Sequence, residues 1–132
     1  MVEKNKNIVR QAYAAISRGD VDGFMSRLTE DVEWYFIGSH LFSGTMKGKE
    51  EIMAKLFSSL GNKLEPPGIQ LEIRQLIGET DKIVAEMQGT ATSTDGIPYN
   101  NSYTLILTLR DGLICSIREY LDTELVTSVF GK

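Results

Sequence analysis

The chain has 132 residues, 42% hydrophobic and 24% charged, enough for one domain with a sizeable core and too few for a second independent one. Eighteen Asp and Glu against fourteen Lys and Arg give a net charge of -4, which excludes an overall positive field for nucleic acid or an anionic membrane. One Cys and one His exclude an intramolecular disulfide and a conventional zinc set. No stretch nears the roughly 18 apolar residues of a membrane span, and Met1 to Tyr13 lacks the apolar core of a signal peptide. The expected setting is cytoplasmic, with no cofactor, no metal and no membrane partner.

Ile8, Val9, Ala12, Tyr13 and Ile16 recur at helical spacing across positions 5–18, and Gly19 supplies a stop, so the spacing predicts a first helix. Asp20 is placed to cap a second, short helix with Val21, Phe24, Met25 and Leu28 on one face. From Asp31 the period drops to two. Val32, Trp34 and Phe36 oppose Glu33, Tyr35 and Ile37, the pattern of a strand buried on at least one face. Residues 38–48 read as a loop. Ile52, Met53, Leu56, Phe57 and Leu60 mark a third amphipathic helix, closed by Gly61 and the Pro66-Pro67-Gly68 breaker. The rest reads as an antiparallel meander of strands 69–78, 82–94, 99–110 and 113–121, with turn signals at Thr80-Asp81, Asp95-Gly96 and Asp111-Gly112. Asp122 can cap a closing helix that carries Leu125, Val126, Val129 and Phe130. Helices first and strands after predict a single α+β domain over 1–132, with helices on one face of a mostly antiparallel sheet.

Alternation sorts the last hairpin into faces. Tyr99, Asn101, Tyr103, Leu105, Leu107 and Leu109 share the inner side of one strand, and Leu113, Cys115, Ile117, Glu119 and Leu121 the inner side of the next. Glu119 is therefore a carboxylate on an apolar face. Burial raises such a pKa toward the range useful for acid/base work, unless the group sits at a rim, solvated or bridged to an arginine. Trp34 is either a flat wall for a ligand or plain core, and Tyr13 either a phenol donor or a core tyrosine. His40 is either a general base near neutral pH or a solvated loop residue. Trp34, Asn101, Tyr103, Leu105, Leu107 and Ile117 are the candidate walls of a site for a small hydrophobic, oxygen-bearing ligand.

The segment Tyr13-Ala-Ala-Ile-Ser-Arg-Gly-Asp20-Val-Asp-Gly-Phe-Met resembles the opening of the ketosteroid isomerase and nuclear transport factor 2 superfamily. Tyr99-Asn-Asn-Ser-Tyr-Thr-Leu-Ile-Leu-Thr-Leu-Arg-Asp-Gly-Leu-Ile, followed by Arg118-Glu-Tyr-Leu-Asp-Thr123, is similar to the closing hairpin of its polyketide cyclase-like, or SnoaL-like, branch. The resemblance implies a cone-shaped, curved, mixed but mostly antiparallel sheet wrapped around three N-terminal helices, with one closed pocket. It also implies a homodimer through the outer sheet face, here Ser102, Thr104, Ile106, Thr108, Arg118 and Tyr120. For activity it implies a cofactor-independent isomerase, cyclase, dehydratase or epoxide hydrolase, or a non-catalytic binder on the same fold. Glu119 stands at about the position of the acid used by the cyclase and epoxide hydrolase branches, Tyr13 at that of the isomerase's first-helix tyrosine, and His40 in a segment like the pocket-flanking loop. The isomerase's own base has no counterpart in Asp31 to Ile37, and Asn100 to Ser102 replaces its second acid. The epoxide hydrolases' Arg and Asp, two apart on an earlier strand, are met here by Glu86 and Gln88 or by Met87 and Gly89, depending on which face of 82–94 turns inward.

Overall fold

In the computed structural model, which describes residues 1–131, the first helix α1 (Val2–Ser17) buries Val9, Ala12, Tyr13 and Ala15 along one stripe. Gly19, at φ +76°, lets the chain reverse after it. The Asp20 carboxylate accepts from Gly23 N–H at 2.8 Å and starts α2 (Val21–Met25). This helix is shorter than its apolar spacing suggests. Leu28, expected on its last turn, is already the first residue of β1 (Leu28–Phe36), three residues before the expected start.

Residues 38–48 are not all loop. Gly44–Lys47 forms β2, antiparallel to β1, with only Met46 buried; four residues are too few to display an alternation in sequence. The third helix, α3, covers 49–63 as Lys49–Ile52, a π-helical segment Met53–Phe57 and Ser58–Lys63. The strands that follow are β3 (Gln70–Glu79), β4 (Lys82–Thr90), β5 (Ser102–Arg110) and β6 (Leu113–Leu121), and α4 (Thr123–Phe130) closes the chain behind its Asp122 cap. β4 and β5 are shorter than expected because the β4–β5 connection is held by other bonds. Ser93 Oγ accepts from the Asp95 and Ile97 N–H groups, and Pro98 has no N–H to give.

The sheet order is β2-β1-β6-β5-β4-β3, antiparallel throughout except for the parallel pair β1–β6. That pair joins the N-terminal strand to the end of the meander and makes the sheet mixed. On β4 the inward residues are Ile83, Ala85 and Met87, all buried, which settles the face left open by the sequence. The inner set of β5 is buried as its alternation predicts. On β6 the expected set holds only in part. Thr108 pairs with Ser116 but Leu109 with Ile114, so Cys115 is a bulged, half-buried residue and the alternation resets there. Ile114 takes the inner position, and Leu113 turns outward.

Asn101, fully buried, ties the start of β5 to the β6–α4 junction. Its Oδ1 accepts from Ser102 N–H at 2.8 Å and Asp122 N–H at 3.0 Å, and its Nδ2 donates to the Asp122 carbonyl at 3.1 Å and to Tyr99 Oη at 3.3 Å. Truncation would strand backbone groups away from water. Asn101→Ala is expected to cost about 3 kcal/mol, read from urea unfolding, whereas the exposed neighbour Asn100→Ala is expected to cost well under about 1 kcal/mol.

Candidate functional site

Glu119 lies on the inner face of β6 between Phe36 of β1 and Leu105 of β5, its register partners on either side. Trp34, two residues back on β1, stacks on Phe36 with centroids 5.5 Å apart and planes 9° from parallel. This stacking fixes the indole so that its Nε1–H donates to Glu119 Oε1 at 3.1 Å. No other side chain or backbone group among the described residues bonds that carboxyl. Glu119 is 6% exposed, and among the described residues no arginine or lysine is paired with it.

The carboxyl borders a cavity of about 60 Å³ beneath α1 and α3. The walls are apolar apart from Glu119 and three tyrosines, Tyr13, Tyr99 and Tyr103. Tyr99 Oη is engaged by Asn101, and burial pushes its pKa up to about 12. The hydroxyls of Tyr13 and Tyr103 are buried with no hydrogen-bond partner. Burial raises both of their pKa values, with Glu119 adding to the rise at Tyr13 and the neighbouring Tyr99, then Glu119, adding to it at Tyr103, so they remain neutral donors. Gly89 leaves the room that the Tyr103 ring fills: a Cβ there would stand 2.9 Å from Tyr103 Cε2. One acid and two phenols without a protein partner thus share an aromatic, apolar enclosure. Such orphaned donors mark a place where a ligand's oxygen would satisfy them.

Trp34, Tyr103, Leu105, Tyr13 and Glu119 of the sequence-based set come together on this wall. Leu107 and Ile117 are fully buried one layer away, and Asn101 is consumed by its structural bonds, so none of the three lines the cavity. His40 is neither solvated nor on the wall. It is 7% exposed, its Nδ1 accepts from Phe42 N–H at 3.1 Å, and its ring meets the edges of Phe36 and Phe42. Burial lowers its pKa, so it is a neutral residue packed behind the cavity's aromatic wall. Phe42, Phe57, Ile69 and Leu71, which the sequence did not single out, complete the enclosure. Of these only Phe57 stood in a periodic pattern, and only the fold brings a loop, a helix and a strand edge to one space. On β4 the inward positions are Met87 and Gly89, so this strand supplies no second acid. Among the described residues no three His, Cys, Asp or Glu side chains gather as a metal set.

The profile of the SnoaL-like domain matches residues 9–117. The chain belongs to the SnoaL-like domain family. An uncharacterised protein of Mycobacterium tuberculosis is similar to this SnoaL-like domain at 23% identity, over 94% of this chain and 93% of its own length. Among solved structures, a nuclear transport factor 2-like protein of unknown function from Burkholderia pseudomallei superposes with a TM-score of 0.84 at 20% identity, covering 98% of each chain. TerC, co-crystallised with polyporic acid, superposes with a TM-score of 0.79 at 24% identity, over 98% of this chain and 99% of its own. The SnoaL-like domain therefore shares its mixed sheet and N-terminal helices with the nuclear transport factor 2-like fold. Among its described residues no helix is long and apolar enough to cross a membrane.

Burial pushes the Glu119 pKa up from 4.5 to about 8, against the smaller pull of the Trp34 hydrogen bond. Between those values the unfolded chain is ionised at this position while the folded chain still holds the proton. Stability is complete below 4.5 and is lost as pH rises toward about 8. Glu119→Gln keeps the acceptor for Trp34 and removes the ionisation. It is expected to melt with the wild type near pH 4.5 and well above it at pH 8, by up to roughly 4 kcal/mol. A melting difference that does not change with pH would contradict a neutral buried carboxyl.

Proposed function

We propose that this SnoaL-like domain binds an apolar, oxygen-bearing small molecule in its cavity and moves a proton on it without a cofactor, with Glu119 as the acid/base group. The observation that carries the reading is the carboxyl held by Trp34 alone, facing the same enclosure as the unpaired hydroxyls of Tyr13 and Tyr103. With a carbonyl compound bound, ionised Glu119 takes the proton from the carbon beside the carbonyl. The Tyr13 or Tyr103 phenol donates a hydrogen bond to the oxygen on which the negative charge collects. Protonated Glu119 then returns the proton at that carbon or at a conjugated one. This is the shared half-reaction of isomerases and aldol-type cyclases. Membership of the SnoaL-like family and the likeness to a protein co-crystallised with polyporic acid support a small-molecule ligand.

With a pKa of about 8, roughly a tenth of the carboxyl is ionised at pH 7. Hydrogen–deuterium exchange beside the carbonyl of an aryl methyl ketone, followed by NMR, is expected to rise about tenfold per pH unit below pH 8 and level off above it. Glu119→Gln is expected to lower the rate at least about 100-fold while the ketone still binds. A bound ketone that exchanges no faster than in buffer would leave a non-catalytic binder, the reading that the small volume of about 60 Å³ favours.

The outer sheet face is proposed as the surface of a homodimer. Ile77, Val84, Ile106 and Arg118 lie in one cross-strand row, with Ile77 56% exposed and Arg118 4.3 Å over the Tyr35 ring. Ile106→Glu is expected to convert a dimer to a monomer in light scattering at micromolar concentration; a wild-type monomer would refute the proposal.

A further inference from the structure

The cavity at Glu119 holds only a few heavy atoms, and a second space lies directly against its wall. Ile16, Phe57, Leu60 and Ile69 line the cavity and also line this second, outer groove of about 280 Å³. From these four residues the groove runs outward between the α1–α2 turn and the connection from α3 to β3, past Val21 and Gly61 to Pro66 and Pro67. No charged side chain lines it. One bank is rigid: Ser17 Oγ accepts from Leu71 N–H at 2.9 Å and pins the end of α1 to β3. The other bank is the second half of α3. It is anchored at its far end, where Glu65 N–H donates to the Thr92 carbonyl and Thr94 N–H to the Lys63 carbonyl, each at 2.8 Å. Between that anchor and the first turn, which packs on β1 and β2, the helix passes through the π-helical segment that carries Leu56 and Phe57, and Ser58–Lys63 buries no residue. A segment so lightly backed can shift outward without breaking a strand pairing.

Resting on the reading of the cavity as the ligand site, we infer that the ligand is elongated. Its oxygen-bearing end reaches Glu119 and the two phenols, and an unbranched or aryl-linked hydrocarbon tail leaves the cone between α1 and α3 to lie in the outer groove. A ligand of only a few heavy atoms would fill the cavity and leave the groove empty. Four apolar side chains border both spaces and the polar side chains stand only at the inner end, which fits a ligand with an oxygen-bearing head and a hydrocarbon tail.

The test uses para-alkylphenols of increasing chain length as probes, followed by the fluorescence of Trp34, which touches the inner end. Affinity is expected to climb roughly three- to fourfold per added methylene past the first few carbons, until the tail outruns the groove. Gly61 faces the groove, and a Cβ there meets nothing within 4 Å, so Gly61→Glu introduces a charge without a clash. In that variant the long-chain gain is expected to vanish, and in Gly61→Gln, which controls for folding and bulk, to persist in part. A flat series in the wild type, with phenol itself bound at Trp34, overturns the tail groove and leaves the cavity reading standing. An equal climb in wild type and Gly61→Glu places the tail elsewhere and overturns it too. No response of Trp34 to any phenol, long or short, overturns the cavity reading and this inference with it.

Discussion

A carboxyl group taken out of water and given one neutral hydrogen-bond donor in exchange is the constraint around which the interior is arranged. Among the described residues Glu119 has no cation to offset its charge, so the protein stabilises it as the acid and forfeits stability as pH rises. An apolar residue of similar shape would pack there without that cost. The same low-polarity surroundings that raise the Glu119 pKa keep Tyr13 and Tyr103 protonated, so acid and donors are tuned by one cause.

The geometry that creates this environment depends on two features of the sheet. The parallel pairing of β1 with β6 sets Phe36 beside Glu119, and Trp34 reaches back along the same face to donate its indole N–H. The bulge at Cys115 lets the turn end of β6 follow a different alternation, so Ile114 packs inward while Ile117 and Glu119 keep their own inward register. Without the extra residue, Ile114 and Glu119 would fall on opposite faces. Aromatic packing then holds the assembly: Phe24 meets Tyr13, Trp34 and Phe57 at centroid distances of 5.4 to 5.8 Å, linking α1, β1 and α3 through one ring.

The two ends of α3 and its middle do different things. The first turn packs on β1 and β2, the last residues are bonded to the 92–94 segment, and the π-helical turn between them roofs the cavity with Leu56 and Phe57. The cavity thus has rigid walls on the sheet side and a lightly backed roof on the helix side. The buried His40 contributes to the rigid side, since its neutral ring props Phe36 and Phe42 from behind.

The sequence by itself determined the α+β class, five of the six strands in near outline, the inward face of β5 and the place of Glu119 on an inward, apolar face, because side-chain periodicity is a local property that survives without tertiary contacts. It also carried enough local motif for the superfamily resemblance. It could not choose the inward face of β4, because the 82–94 segment has apolar residues in both registers, Ile83, Ala85 and Met87 against Val84. It missed β2, whose four residues owe their extended form to β1, and it misassigned Leu113, because a bulge is a relation between two strands and leaves no mark on one. For the site, periodicity could say that Trp34, Tyr103, Leu105 and Glu119 face inward, but Asn101, Leu107 and Ile117 face inward as well. Which inward residues border a cavity and which are sealed in the core depends on where helices from elsewhere in the chain come to rest. Only the tertiary structure decided that, by leaving space under α1 and α3 at one end of the sheet and filling it at the other.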